Sequence, residues 1–95
     1  MLTDLRVGII GTGVMGADHA RNLARGVRGV VLTAIADADA ARANALAQEA
    51  GGAIIYPSGE EMIVSGQVDA VIIAVPDPLH APLTRACFEI DLLEL

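Results

Sequence analysis

Four short aliphatic runs alternate along the chain with stretches of helical character. Val7–Ile10, Val30–Ala36, Ala53–Tyr56 and Val68–Val75 are almost free of charge and rich in Val, Ile and Ala. Unbroken apolar runs of this length predict strands covered on both faces, as in a parallel sheet. Between them the pattern predicts helices over Val14–Arg25, Ala40–Ala50 and Gly59–Val64, and a last one through Pro82, Thr84, Ala86 and Phe88. The second is built of strong helix formers and stops at Gly51-Gly52. Ser58 followed by Glu61 is a capping-box spacing for the third. Pro76-Asp77-Pro78-Leu79-His80 makes a rigid turn into the fourth, with proline tolerated in a first helical turn.

The order is therefore β-α-β-α-β-α-β-α. It predicts an α/β Rossmann-type parallel sheet, strand order 3-2-1-4, incomplete because later strands and any second domain are missing. Strand four falls beside strand one, and the Pro76–His80 turn lies at its carboxyl end, where such sheets dock ligands at a topological switch point. Residues 1–89 read as one dinucleotide-binding domain and 90–95 as an atypical tail.

Candidate chemistry concentrates at Arg6–Gly16, RVGIIGTGVMG. Gly11 permits the sharp turn out of the strand, Gly13 lets a pyrophosphate approach the backbone, and Gly16 lets the helix pack against the sheet. Helix-start N–H groups, carrying roughly +0.5 charge, complete a phosphate cradle from Gly11, Thr12, Gly13, Val14, Met15 and Gly16. A lone G-x-G-x-x-G is weak, but here a strand precedes it, a helix follows, and Asp37 lies 21 positions on (16 to 37). A carboxylate there accepts hydrogen bonds from the adenosine ribose hydroxyls and repels a 2′-phosphate, which favours NAD over NADP. Asp37 or Asp39 could instead cap the following helix; Asp37 binding and Asp39 capping are compatible.

Composition narrows the function classes. With 54% hydrophobic and 2% aromatic residues, the core must be aliphatic. A net charge of −6 offers no footprint for a nucleic-acid backbone. All six basic residues are Arg, so the chain has no Lys. A single cysteine, Cys87, excludes an internal disulfide, offers no metal cluster, and reads as a buried apolar residue. The start MLTDLR lacks a signal-peptide pattern, and no apolar run could span a membrane. A cytoplasmic protein with no membrane partner is expected. His19, alone on the first helix, reads as packing. Glu60 and Glu61 do not face each other, and capping accounts for Glu61.

Gly11-x-Gly13-x-x-Gly16-x-x-His19-Ala20, the strand ending in Asp37, Val68-Asp69-Ala70-Val71 and Val75-Pro76-Asp77-Pro78-Leu79-His80 together resemble the N-terminal domain of the inositol-dehydrogenase-like Gfo/Idh/MocA oxidoreductases. The resemblance covers Arg6 to about Glu89. It implies NAD(P)-dependent oxidation of a secondary alcohol on a small sugar or cyclitol. By position, Gly11–Gly16 would bind pyrophosphate, Asp37 the ribose, and Val75, Pro76 and His80 the cofactor towards its nicotinamide side. The family usually has Asn where Asp77 stands. Its next segment, a fifth strand with a Glu-Lys-Pro motif, and its C-terminal domain with an Asp/His pair have no counterpart here. A truncated or frame-altered product, or an isolated domain, is the expectation, with no catalytic residue in the chain.

Without a fifth strand, the fourth would be a hydrophobic edge open to homo-oligomerisation, unless the tail folds back over it or extends the last helix. Two functions remain in view beside an oxidoreductase domain that is catalytically incomplete alone. One is a non-catalytic nucleotide-binding module or sensor. The other is a site for a different Rossmann ligand such as S-adenosylmethionine, against which the three-glycine spacing and the His80 turn weigh.

Overall fold

A computed structural model describes residues 4–95; the expectation placed on the first residues, Met1 to Thr3, lies outside them. The elements run β1 (Leu5–Ile10), α1 (Val14–Ala24), β2 (Val30–Ala36), α2 (Ala40–Glu49), β3 (Ile54–Tyr56), α3 (Gly59–Ile63), β4 (Ala70–Ile73), α4 (Asp77–Glu89) and β5 (Leu93–Glu94). All strand pairs of the sheet are parallel, in the order β3-β2-β1-β4-β5. The expected 3-2-1-4 core is present, and β5 is added to it.

Strand alternation divides the core in two. Val7 and Ile9 of β1, Ile35 of β2 and Ala70 of β4 face α1 and α2, against Ala17, Ala20, Ala43, Leu46 and Ala47. Ile10, Ala34, Ala36, Val71 and Ile73 point the other way, onto Met62 and Ile63 of α3 and Leu83 and Cys87 of α4. Successive residues of a strand project to opposite faces, so apolar runs with no polar alternation must be covered on both sides. Small Ala residues on α1 and α2 let those helices lie close to the sheet. Between Val7 and Gly8 the β1–β2 register shifts by one residue, at Thr33. The Thr33 hydroxyl donates to the Gln67 carbonyl at 2.9 Å, which gives the extra residue a partner.

One expectation needs correction. The fourth strand is shorter than Val68–Val75, because regular pairing with β1 runs only from Ala70 to Ile73. Pro78 sits in the first turn of α4, where a missing N–H costs nothing, and Pro82 lies one turn further in. Of the alternatives open to the tail, it folds back over the fourth-strand edge: the chain turns at Asp91, the one non-glycine described residue with positive φ (57°), and lays Leu93 and Glu94 along Ala70 and Val71. Leu95 N–H then donates to the Val71 carbonyl at 2.8 Å. Pairing satisfies the backbone groups of that half of β4, which is why the tail folds back rather than extending α4.

At the amino ends of β1 and β4, away from the glycine turn, Arg6 clamps Asp69 through its backbone N–H (2.8 Å), Nε (3.2 Å) and Nη2 (2.9 Å). That pair holds the Asp69 carboxyl below its ordinary range, mainly through the side-chain hydrogen bonds. It ties the central strands at the end opposite the candidate site.

Candidate functional site

The carboxyl ends of β1, β2 and β4 open into a cleft of about 520 Å³, within the roughly 300–1,000 Å³ typical of small-molecule sites. Its floor is Ile10, Ala36 and Ala74, and the glycine turn Gly11-Thr12-Gly13 forms one wall. Asp37, Ala38 and Arg42 form the second wall; Pro57, Ser58, Gly59 and Glu60 the third; Val75, Pro76, Leu79, Pro82 and Leu83 the last.

The glycine turn is shaped by contacts that only glycine allows. Gly11 has φ +97° and its N–H donates to the Ala36 carbonyl at 2.8 Å, so the chain leaves β1 bent over the end of β2. A Cβ on Gly16 would collide with the Gly11 carbonyl oxygen, so its absence lets α1 close onto the turn. Gly13 differs: it is the N-cap of α1, no side chain caps that helix, and nothing lies within 4 Å of where its Cβ would be. Open space above an uncapped helix start, with backbone N–H groups aimed at it, is what an anionic group fills. The donor set thus fits a phosphate.

Opposite it, Asp37 ends β2 with its side chain only 11% exposed. Its Oδ2 accepts the Thr12 N–H (2.8 Å), the Thr12 hydroxyl (2.7 Å) and Arg42 Nη2 (3.0 Å). Its Oδ1 accepts only the Asp39 N–H, at 2.8 Å. Burial pushes this carboxyl up, but the bonds from Asp39, Thr12 and Arg42 outweigh it and hold Asp37 far below the ordinary carboxylate range. It is ionised at neutral pH, with Oδ1 the less occupied oxygen. Asp39 caps α2, accepting the Arg42 N–H at 3.1 Å. Asp37 on the cleft wall and Asp39 as the cap of α2 therefore coexist.

Of the residues singled out by the sequence, Gly11, Thr12, Gly13, Asp37, Val75 and Pro76 line one cleft. Gly16 lies beneath it, while Val14 and Met15 stand 82% and 70% exposed at the start of α1. His80 lies outside the walls, in a shallow groove with Asp77, Thr84, Arg85, Phe88 and Glu94. There its Nδ1 is 3.3 Å from the Thr84 hydroxyl and its Nε2 3.9 Å from Glu94 Oε2. His19 is half-buried on α1. Cys87 is buried, and burial, with the Glu94 charge, raises its thiol pKa. Ser58 Oγ accepts the Glu61 N–H, so the capping spacing is used.

Arg42 is one of the helix formers of the Ala40–Ala50 stretch in the sequence, yet among the described residues it is the one basic residue on the cleft walls. Its Nε also donates to the Thr12 hydroxyl oxygen at 2.9 Å. The signal available was its place in the first turn of the helix that follows Asp37.

Comparison with known proteins gives consistent matches. The family model described as the GFO_IDH_MocA oxidoreductase family, NAD-binding Rossmann fold, matches residues 5–92. Inositol 2-dehydrogenase 1 of Saccharopolyspora erythraea is 46% identical over 86 residues, covering 90% of this chain and 26% of the relative. Inositol 2-dehydrogenase of Rubrobacter xylanophilus is 47% identical over 85 residues, covering 90% and 24%. Among solved structures, myo-inositol dehydrogenase from Lactobacillus casei, in complex with NAD(H) and myo-inositol, superposes with a TM-score of 0.90 at 26% identity, over 97% of this chain and 27% of that one. Myo-inositol 2-dehydrogenase from Lactobacillus plantarum gives 0.90 at 32% identity, over the same shares. The chain spans about a quarter of the length of the curated relatives it matches. No helix among the described residues is long and apolar enough to cross a membrane.

Proposed function

The chain belongs to the Gfo/Idh/MocA oxidoreductase family as its NAD-binding Rossmann domain, and from that premise we propose how it holds the dinucleotide and what it serves. The pyrophosphate lies over Gly13 against the start of α1, within the turn Gly11–Gly16. The adenosine ribose donates to Asp37 Oδ1, and the nicotinamide end runs past Val75 and Pro76 towards the mouth beside His80, with Val14 and Met15 at the rim. The observation that carries this reading is the open, uncapped start of α1 facing an ionised, oriented carboxylate across one cleft.

When bound, NAD accepts a hydride from the alcohol carbon. The chain's own residues orient the cofactor and keep a wall of Ile10, Val75, Leu79 and Leu83 apolar around it. None is assigned to proton transfer: His19 and His80 are the only side chains whose ordinary pKa is near neutral, and neither lines the cleft. We therefore assign the chain to orientation of the cofactor in an enzyme that oxidises a secondary alcohol of a cyclitol or related sugar, the substrate class supported by the names of its relatives. Residues 1–89 are the proposed dinucleotide-binding unit, and the 90–95 tail contributes β5. A homo-oligomer would use the outer side of β5 and the half of β4, Ile72 and Ile73, that no strand pairs there among the described residues. A reducing cytoplasm suits the single free thiol.

Calorimetric titration of the folded chain with NAD tests this. Saturable one-site binding is expected, without reduction of NAD when myo-inositol is added. A folded chain that gives no binding heat up to millimolar NAD, and no shift in melting temperature, would overturn it.

A further inference from the structure

We propose that Arg42 sets how strongly the cleft discriminates between a 2′-hydroxyl and a 2′-phosphate on the adenosine ribose, acting as a counter-charge that moderates Asp37. The inference rests on the cofactor reading above and adds a specificity-determining residue to it.

Three observations lead there. The cleft walls carry two acids, Asp37 and Glu60, and one cation, Arg42. Arg42 is fixed in place by Nη2 on Asp37 Oδ2 (3.0 Å) and Nε on the Thr12 hydroxyl oxygen (2.9 Å), so its charge sits beside the ribose-side carboxylate. Its side chain is nevertheless 53% exposed, and its Nη1 has no protein acceptor among the described residues. A guanidinium held on one edge with its other donors unused can take a phosphate oxygen as well.

The two cofactors use this arrangement differently. A ribose 2′-hydroxyl is neutral and donates to Asp37 Oδ1, the oxygen that Arg42 does not touch. NAD binding therefore depends little on the Arg42 charge. A 2′-phosphate brings close to two negative charges to the same spot. Against Asp37 and Glu60 alone it is repelled; with Arg42 present, one of the two wall acids is balanced and one charge-assisted donor is on hand. Asp37 sets the preference for NAD, and Arg42 limits how steep it is.

The test is calorimetric titration of the wild-type chain, R42Q, R42M and R42K with NAD and with NADP, at low and at elevated salt, with circular dichroism to show that each variant is folded. Two uncharged variants are included so that loss of fold in one leaves the other. The ratio Kd(NADP)/Kd(NAD) is expected to rise about tenfold in R42Q and R42M, the size of one charge-assisted bond. NAD affinity falls less than NADP affinity does, R42K keeps most of the wild-type ratio, and salt shrinks the difference by screening. If NAD and NADP weaken together with an unchanged ratio, Arg42 only braces the glycine turn and the proposal fails; a falling ratio refutes it as well. A wild-type chain that binds neither cofactor refutes the cofactor reading itself, and that arm is read before any variant.

Discussion

Thr12 gives Asp37 both of its donors: its backbone N–H and its hydroxyl converge on Oδ2, at 2.8 and 2.7 Å. This joins the glycine turn after β1 to the end of β2, 25 residues on, and leaves Oδ1 with the Asp39 N–H as its one donor among the described residues. Thr12→Val keeps the shape and the N–H but removes the hydroxyl, leaving Arg42 Nε without its acceptor. A stability loss of about 1.5–3 kcal/mol is expected in urea unfolding, the worth of a bond to a charged group, since the hydroxyl both donates to Asp37 and accepts from Arg42. NAD should weaken about threefold to tenfold in calorimetry, because the proposed ribose acceptor, Asp37, is less well held. Unchanged affinity in a destabilised variant would show the bond to be purely structural.

Asp37→Ala removes the proposed ribose acceptor and, with it, the repulsion of a 2′-phosphate in one step. NAD affinity should fall about tenfold or more, the loss of one or two bonds to a charged acceptor. NADP should fall less, or gain, because Arg42 loses its partner on the wall. The double variant D37A/R42Q should lose that NADP advantage, since the two residues are in contact and their effects do not add. Equal losses for NAD and NADP in D37A would defeat the ribose assignment.

Acid should expose the same carboxylate. Asp37 has a folded pKa below its unfolded value, so it binds fewer protons folded than unfolded in acid. The stability it contributes is full above about pH 4, its ordinary range, and is lost as pH falls from there through the folded value. Asp69 is lowered too, by Arg6, but it titrates alike in wild type and in D37N and cancels in their difference. The stability gap between wild type and D37N, from urea curves at pH 7 to pH 3, should narrow below about pH 4. A gap constant over that range would mean that Asp37 is not held by charge.

Much of this was legible in the chain because its signals are local. β1, β2 and β4 are unbroken aliphatic runs, and a sheet covered on both faces leaves no other reading. The glycine turn and Asp37 have a fixed spacing because one βαβ unit has a fixed length. Features that depend on contacts far apart in sequence were not legible. Arg42 looks like any arginine in a helix until α2 is laid beside Thr12, 30 residues away. His80 shows how helical phase decides a side chain's surroundings. At 3.6 residues per turn, neighbours point about 100° apart, so Leu79 lines the cleft while His80 turns to Thr84 and Glu94. β5 is two residues of a Leu- and Glu-containing tail, too short to carry an alternation.

Two alanine variants of the glycine turn should separate folding from binding. Gly16→Ala puts a Cβ into the Gly11 carbonyl oxygen, a backbone atom that cannot move without shifting α1 from the sheet. The cost should exceed about 2 kcal/mol, and for a domain of this size lower the melting temperature by about 10 °C or more. Gly13→Ala meets nothing within 4 Å, and the Gly13 backbone, at φ −68° and ψ −169°, is one that alanine adopts without strain. Its stability should stay within about 1 kcal/mol of wild type, the stiffer unfolded chain offsetting alanine's poorer fit at an N-cap. The new Cβ would nevertheless stand in the space above the start of α1, so NAD should weaken about tenfold or more while the protein stays fully folded. If G13A instead binds NAD as well as wild type does, the pyrophosphate does not approach over Gly13, and the cradle must be sought elsewhere on the turn.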